Sequence, residues 1–417
     1  MCYDHLLSTL VHLKLLYRAI KVRIYPNPQQ CQKLTQVMGA ARWWWNYALN
    51  LSNQTYKETG KGLTQIALNQ VLPLLKKSEE TAWLKDCYSQ VLQSTTLNLT
   101  KAFKNFFDKR AKYPRFKSYH GRQSAQYPQN CQVVENGVKI PQVGVIKASI
   151  YRLFDGQLKT VTITKTPTRK YYASLLFDTE LETPEVVVTG KVIGIDLGLK
   201  DFCITHNGEK TSKYTNPKHF KKHQKNLARK QAKLARKKKG SKSRQKARKL
   251  VARVHERISN ARQDFLHKLS RKIVNDNQVV VVENLNVKGM VCNHNLAQAI
   301  SDVGWGMFIN FLDYKLQQKG GLLVEIDRFF PSSKTCSNCL YQISELPLDM
   351  REWICPSCGT HHDRDENASK NIRAEGIRQL SVLGTRTAAE GGEVRPKGGR
   401  KSVLRHSPVS SEAPTSA

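Results

Sequence analysis

The chain has 417 residues, of which 68 are lysine or arginine and 33 are aspartate or glutamate, so its formal net charge is +35. This surplus indicates an anionic partner, and nucleic acid is favoured over a membrane surface because the basic residues do not flank an apolar anchor. No run approaches the roughly 20 apolar residues of a membrane span, and the first 16 residues lack the features of a secretory signal. With ten cysteines and no export signal, we expect a reducing cytoplasmic location.

The first predicted elements are a short strand and a long helical block. Residues 21–25 alternate between polar and apolar like a half-buried strand, and Pro26 ends it. A helical pattern continues to about Lys112, and the apolar spacing within residues 83–107 predicts one long amphipathic helix. Residues 43–45 are three adjacent tryptophans, which suggest base stacking. Consecutive helical positions cannot all face one ligand, so core packing of one or two indoles is favoured.

A period of two replaces the helical period between about Pro128 and Thr183. Residues 138–140, 160–164 and 171–177 are predicted strands of a small antiparallel barrel or sheet, and residues 166–169 are a predicted hairpin turn. We expect the strand near residue 21 to join this sheet, which would leave the helical block as an insertion.

The stretch from Lys218 to Arg262 concentrates the positive charge, with 19 lysines and arginines against one acid, Glu256. Its second half keeps a helical apolar stripe, so we predict two basic helices broken near Gly240 rather than a disordered run. The candidate nucleic-acid contacts lie here: Lys221, Lys222, Lys225, Arg229, Lys230, Lys233, Arg236, Lys237, Arg248 and Arg253.

Two Cys-x-x-Cys pairs predict a metal ribbon. Cys336 and Cys339 form the first pair, and Cys355 and Cys358 form the second. Four thiolates suit a tetrahedral zinc ion, and a shell closed by four protein ligands is structural because it leaves no position for a substrate water. Four unrelated thiols or a redox pair are the alternatives. Neighbouring His361 and His362 could replace a ligand, but four cysteines already complete the shell.

Three carboxylates are candidates for a second metal centre. Residues 192–198 read as a buried strand that ends in the Asp196 carboxylate and a glycine turn. Glu283 follows a second buried strand at residues 279–282, and Asp365 lies where a helical pattern begins. If the two strands are neighbours in one sheet, the three side chains can hold Mg²⁺ or Mn²⁺, and two ions about 3.5–4 Å apart would serve phosphodiester hydrolysis. Each acid has an alternative role, either as a turn residue after a strand or as a helix N-cap.

Taken together, these motifs resemble the TnpB family of transposon-encoded nucleases, relatives of the compact type V CRISPR effectors. The segments that carry the resemblance are residues 21–26, 113–117, 194–198, 281–285, 329–339, 355–359 and 363–368, and the match runs from about Tyr17 to Leu380. It implies a catalytic triad at Asp196, Glu283 and Asp365, with zinc ligands at the four cysteines. Asp365 is preferred to Asp363 because the family's acid stands two residues before an Asn-Ala pair, here Asn367-Ala368.

The resemblance implies an α/β multidomain fold, with an RNase H-like (RuvC) core that contains a four-cysteine zinc ribbon, an N-terminal helical lobe and a small antiparallel β-barrel. The expected parts, by residue number, are an N-terminal extension at 1–19, a wedge-like barrel at 20–26 and 128–186, a helical recognition lobe at 27–127, a RuvC-like nuclease at 190–332 and 363–380, the ribbon at 333–362, and a disordered tail at 381–417.

The functional hypothesis is an RNA-guided, divalent-metal-dependent DNA endonuclease encoded by a transposable element, with guide RNA and double-stranded target DNA as partners and no small-molecule substrate. The resemblance also implies a prokaryotic, nucleoid-associated protein. One alternative is a nuclease-silent RNA-guided DNA-binding regulator, but such relatives usually lose acids of the triad, and all three are present here. Another is a transposase or recombinase that acts directly on transposon ends. The chain has no His-hydrophobic-His pair of the kind that single-strand transposases use.

Overall fold

The structure is a computed structural model that describes residues 15–184, 186, 190–347 and 349–382. Residues 1–14 of the expected extension and residues 383–417 of the expected tail lie outside the described residues. The chain divides into two compact units, residues 1–182 and residues 183–417. Within the described residues, no helix is long and apolar enough to cross a membrane.

Within residues 15–182, the helical part of the first unit consists of three α-helices and one 3-10 helix. They are α1 (Pro28–Thr59), α2 (Gln65–Lys77), the 3-10 helix (Glu79–Asp86) and α3 (Ser89–Phe107). Asn27 caps α1 in a reciprocal capping box with Gln30, and Gly60 ends the helix in the left-handed conformation at φ 68°. The prediction of one helix over residues 83–107 is wrong at its start, because the chain leaves the 3-10 helix in extended conformation at Cys87 before α3 begins.

The three adjacent tryptophans serve mainly the core. Trp44 is 0% exposed and Trp45 is 7% exposed, and the Trp44 indole donates a hydrogen bond to Thr96 Oγ1 at 2.9 Å. Trp43 is partly buried and stacks on Tyr47, with the ring centroids 5.1 Å apart. Core packing, rather than base stacking, therefore accounts for two of the three indoles.

The sheet of the first unit has seven strands in the spatial order β2-β6-β7-β1-β5-β4-β3. They are β1 (Leu15–Tyr25), β2 (Gln123–Tyr127), β3 (Gln132–Val134), β4 (Gly137–Ile140), β5 (Gly144–Ser149), β6 (Gln157–Lys165) and β7 (Tyr171–Glu182). The strand near residue 21 pairs with β5 and β7, as expected, and the turn at residues 166–169 closes the β6–β7 hairpin. The end strands β2 and β3 do not pair with each other, so the described sheet is open and a closed barrel is not confirmed.

The second unit is built on a five-stranded sheet in the order β10-β9-β8-β11-β12. Its strands are β8 (Val192–Leu197), β9 (Asp201–His206), β10 (Thr211–Thr215), β11 (Val279–Glu283) and β12 (Leu322–Ile326), and a separate hairpin pairs β13 (Glu352–Ile354) with β14 (His361–Asp363). β8, β11 and β12 are parallel, so the expected adjacency of the first two is confirmed. β9 and β10 add antiparallel strands at one edge.

Helices cover both faces of this sheet. The helices described in this unit are α4 (His219–Ala235), α5 (Lys242–Asp276), α6 (Val287–Met290), α7 (His294–Val303), α8 (Trp305–Gln317) and α9 (Arg364–Val382). Since side chains alternate along a strand, Val280 and Val282 pack towards α5 and α8, whereas Val279 and Val281 pack towards Ile372 of α9. α4 and α5 are the two predicted basic helices, and the break between them contains Gly240 at φ 85°.

Candidate functional site

Two of the predicted acids lie at the same end of neighbouring parallel strands. Asp196 is the fifth residue of β8 and Glu283 is the last residue of β11. Ile195 pairs in register with Val282, so the next positions along the two strands are Asp196 and Glu283. Asp365 is the second residue of α9, the helix that packs on these strands. The fold therefore brings all three acids to one edge of the sheet.

Two glycines allow α9 to lie directly on the sheet. A Cβ atom added to Gly194 would stand 2.3 Å from the Ser369 carbonyl oxygen and 2.6 Å from the Arg373 amide nitrogen. A Cβ added to Gly376 would stand 2.3 Å from Cγ2 of Val281. Gly194 therefore leaves room for the backbone of α9 beside the strand that carries Asp196.

The first turn of α9 is fixed by Asp363. Its Oδ1 accepts hydrogen bonds from the backbone amides of Asp365 at 3.1 Å and Glu366 at 3.0 Å, which makes it the N-cap. Its Oδ2 lies 2.9 Å from Lys213 Nζ of β10, which also lies 2.9 Å from Glu366 Oε1. Capping therefore belongs to Asp363, and Asp365 is available for another role.

Polar contacts that the sequence did not predict hold Glu283 and α9 to one loop. The Ser332 hydroxyl donates to Glu283 Oε1 at 2.5 Å, and Ser332 is 6% exposed. The buried side-chain amide of Asn371 donates to the Ser332 carbonyl at 2.7 Å and to the Thr335 carbonyl at 2.6 Å. Asn367 donates to the same Thr335 carbonyl at 2.7 Å and accepts from the Ser337 amide at 3.0 Å. Ser332 lies near Cys336 in the sequence and the asparagines follow Asp365, but that proximity alone does not identify their partners.

Electrostatic repulsion accompanies this arrangement. Burial, together with the negative charges of Glu283 and Asp365, raises the pKa of the Asp196 carboxyl from 3.8 to about 8. Burial also raises the pKa of Glu283, and the hydrogen bond from Ser332 partly offsets that rise. Asp365 Oδ2 lies 3.5 Å from the Arg351 guanidinium. A divalent cation placed among the three acids would relieve the repulsion and favour their charged forms.

The four predicted cysteine ligands form one cluster. Their sulfur atoms all lie within 4.8 Å of one another. The Sγ atoms of Cys336 and Cys358 are 3.7 Å apart, and those of Cys339 and Cys355 are 3.5 Å apart. Tetrahedral zinc with Zn–S bonds of about 2.3 Å places its sulfurs about 3.8 Å apart, so the donor set fits zinc. His362 Nε2 lies 3.0 Å from Cys336 Sγ, beside the cluster.

The predicted nucleic-acid contacts lie on α4, on α5 and in the turn that follows α4. Lys230 is partly buried. The other nine side chains are exposed: Lys221, Lys222, Lys225, Arg229, Lys233, Arg236, Lys237, Arg248 and Arg253. Leu227 of α4 packs on Val254 and Ile258 of α5, so an apolar seam joins the two helices while the basic side chains face solvent.

Comparison with known proteins gives matches along most of the chain. A family model described as "Probable transposase" matches residues 176–294, a "Cas12f1-like, TNB domain" model matches residues 305–372, and a "Helix-turn-helix domain" model matches residues 16–61. A solved chain of a Cas12f1–sgRNA–target DNA complex superposes with a TM-score of 0.52 at 14% identity, covering 86% of this chain and 99% of that chain. At this identity, the superposition shows a shared fold.

Sequence relatives agree with these matches. A Streptomyces pristinaespiralis protein named as a candidate RNA-guided DNA endonuclease is 40% identical over 86% of this chain and 89% of its own length. The Escherichia coli K12 protein InsQ, named in the same way, is 30% identical over 86% of this chain and 92% of its own. A TnpB-like protein of Acanthamoeba polyphaga mimivirus is 30% identical over 53% of this chain and 44% of its own. The chain therefore belongs to the TnpB family.

Proposed function

We propose that this protein is an RNA-guided, divalent-metal-dependent DNA endonuclease encoded by a transposable element. The observation that carries the proposal is the convergence of Asp196, Glu283 and Asp365 at one sheet edge, where burial and the charges of the other two acids raise the pKa of Asp196 to about 8. Such a cluster of acids is costly to the fold, and a bound cation would relieve it. The names of the relatives point to the same activity.

The three acids would hold one or two Mg²⁺ or Mn²⁺ ions, which activate a water and stabilise the leaving oxygen of a DNA phosphodiester. Glu283 is oriented by the Ser332 hydroxyl, and Asp365 by the cap that Asp363 gives to α9.

The four cysteines would bind one structural zinc ion. The ribbon around them buries few apolar side chains, chiefly Leu346 and Trp353, so it needs the metal to fold. Four thiolates complete the coordination shell and leave no position for a reacting water. The zinc would thus hold the loop that carries Ser332, while hydrolysis takes place at the acids.

Guide RNA and double-stranded target DNA are the proposed partners. The exposed cations of α4 and α5 would contact the sugar–phosphate backbone of an RNA–DNA heteroduplex, so the guide, rather than these side chains, would read the sequence. Because such contacts release counterions, affinity should fall steeply with salt.

The domain assignment follows from this function. We assign a RuvC-like nuclease of the RNase H type to residues 190–332 and 363–380, with the ribbon at 333–362 between its parts. A mixed sheet with helices on both faces supports this assignment. We assign a wedge-like role to residues 20–26 and 128–186, and a recognition lobe to residues 27–127.

The deciding experiment purifies the full chain from cells that carry its transposon, sequences the bound RNA, and assays cutting of matching DNA with Mg²⁺. Asp196→Asn keeps the size of the side chain but removes its charge, and it should abolish cutting while leaving the bound RNA in place. Asp264→Asn is the matched control, since Asp264 is an exposed acid whose Oδ2 contacts Lys268 at 2.7 Å. Wild-type protein that binds RNA and its DNA target but never cuts would favour the regulator. Cutting or joining of transposon ends without RNA would favour the transposase.

A further inference from the structure

The segment of residues 109–122, here called the strap, has an unusual composition. It contains six cations and no acid: Lys109, Arg110, Lys112, Arg115, Lys117 and Arg122. Three aromatic residues stand among the cations, and every strap residue except Pro114 is exposed. The strap contains no helix or strand, yet the contacts below show that helix α1 holds it in place.

Side chains of α1 bind the backbone of the strap. The Trp45 indole donates to the Arg115 carbonyl at 3.0 Å. The Asn46 side chain donates to the Lys117 carbonyl at 3.0 Å and accepts from the Lys117 amide at 2.7 Å. These bonds satisfy the backbone without using the aromatic rings of the strap. Tyr113 adds side-chain contacts, since its hydroxyl donates to Asn53 Oδ1 at 2.5 Å and its ring packs edge-on against Phe103 and Phe106. The Lys117 ammonium lies over the Trp45 ring, 3.7 Å from its centroid. The segment is therefore anchored through its main chain and through Tyr113, while Phe116 and Tyr119 remain exposed.

Two rings of the strap lie in solvent beside cations. Phe116 is 58% exposed and Tyr119 is 69% exposed. The Arg42 guanidinium lies over the Tyr119 ring, 5.3 Å from its centroid. Among the described residues, no aromatic ring or cation is stacked on Phe116. Single exposed aromatics are common on proteins, but rings that alternate with cations on an anchored backbone are typical of surfaces that bind single-stranded nucleic acid.

We propose that the strap binds an unpaired polynucleotide strand, with a base stacked on Phe116 and phosphates bound by the neighbouring lysines and arginines. A duplex is disfavoured because its bases already stack on one another and offer no open face to a ring. The strand can be RNA or DNA, since both offer the same bases and phosphates. The proposal deepens the proposed function by locating a strand-binding site, but it can be tested without any cutting.

The test measures fluorescence anisotropy of the full-length protein, freed of bound RNA, with labelled oligo-rU, oligo-dT and a duplex of equal length. Phe116→Ala should weaken binding of a single strand on the order of tenfold, the effect of losing one base–ring stack. Phe116→Trp should keep wild-type affinity, and Phe116→Leu should behave like alanine because it keeps bulk without a ring. Tyr151→Ala is the matched control, since Tyr151 is 79% exposed and lies outside the strap.

The site is supported if Phe116→Ala binds oligo-rU, oligo-dT or both more weakly than the wild-type protein does. The oligonucleotide that loses affinity identifies the strand as RNA or DNA. Unchanged affinity for both single strands, or an equal loss on the duplex, overturns the proposal. A second readout needs no variant: irradiation of the wild-type complex with a 5-iodouracil oligonucleotide should crosslink the peptide that contains Phe116. Crosslinks found only elsewhere also overturn it. If the chain proves not to be a nuclease, cutting is absent while these two measurements keep their meaning.

Discussion

Replacing Gly194 by alanine tests whether close contact between α9 and the sheet sets the position of the acids. The new Cβ would meet the Ser369 carbonyl oxygen at 2.3 Å and the Arg373 amide at 2.6 Å. Normal contact needs about 3.5 Å, so the shortfall is about 1 Å, and both obstacles are backbone atoms that no side-chain rotation can remove. The helix that carries Asp365 must therefore move away from the strand that carries Asp196.

Overpacking of this kind costs about 1–3 kcal/mol, and a displacement of about 1 Å at a reacting centre can lower a rate on the order of 100-fold. We expect Gly194→Ala to lower the free energy of unfolding by about 1–3 kcal/mol in urea titrations. We also expect it to slow DNA cutting on the order of 100-fold at saturating Mg²⁺. Gly306→Ala is the control because Gly306 lies in α8 with open space around its missing Cβ, and alanine there should raise the free energy of unfolding by up to about 1 kcal/mol. Wild-type stability and cutting in Gly194→Ala would refute the reasoning.

Three further predictions follow from contacts in the second unit. Ser332→Ala should raise the Mg²⁺ concentration needed for half-maximal cutting several-fold, because Glu283 loses its hydrogen bond. Ser333→Ala is the control and should leave that concentration unchanged. Equal Mg²⁺ dependence of the two variants would contradict the prediction. Cys355→Ser should lower the zinc content measured by mass spectrometry and make the ribbon sensitive to protease. DNA cutting should also fall, even at saturating Mg²⁺. Burial and the charge of Arg271 lower the pKa of Lys315 from 10.5 to about 8. Between pH 8 and 10.5 the unfolded chain therefore binds more protons than the folded chain does. The free energy of unfolding should rise by about 1–3 kcal/mol as the pH increases across this window. Lys315→Met should lack this rise in urea titrations.

The sequence predicted the elements whose apolar residues are continuous or strictly periodic. Residues 279–282 were expected to form a buried strand, and all four are 0% exposed. A strand that is buried on both faces has apolar residues at consecutive positions, so its sequence pattern predicts the strand clearly. By contrast, β2 (Gln123–Tyr127) has no β-branched residue, and the resemblance placed it within the helical recognition lobe at 27–127.

The site was predicted where its chemistry is carried by residue type, and missed where it is carried by partners far apart in the chain. Carboxylates after buried strands and paired cysteines are visible in any sequence. The bond from Ser332 to Glu283 spans 49 residues, and the bond from Lys213 to Asp363 spans 150. A serine or an asparagine has many possible partners, and only the fold selects one. The sequence therefore indicates the candidate metal ligands more readily than the groups that position them.

The position of the ribbon between β12 and α9 has a physical consequence for the acids. The loop from Ser332 to Thr335 runs directly into the first zinc knuckle at Cys336. The same loop donates a hydroxyl to Glu283 and offers its carbonyls to Asn367 and Asn371 of the helix that carries Asp365. One short segment thus contacts the ribbon, one strand acid and the helix of another. A metal that fixes this segment lowers the freedom of Glu283 and Asp365 at once, because neither acid can shift without breaking bonds to a loop anchored at its cysteine end. Under the proposed function, this coupling predicts that hydrolysis depends on a zinc ion that touches no substrate.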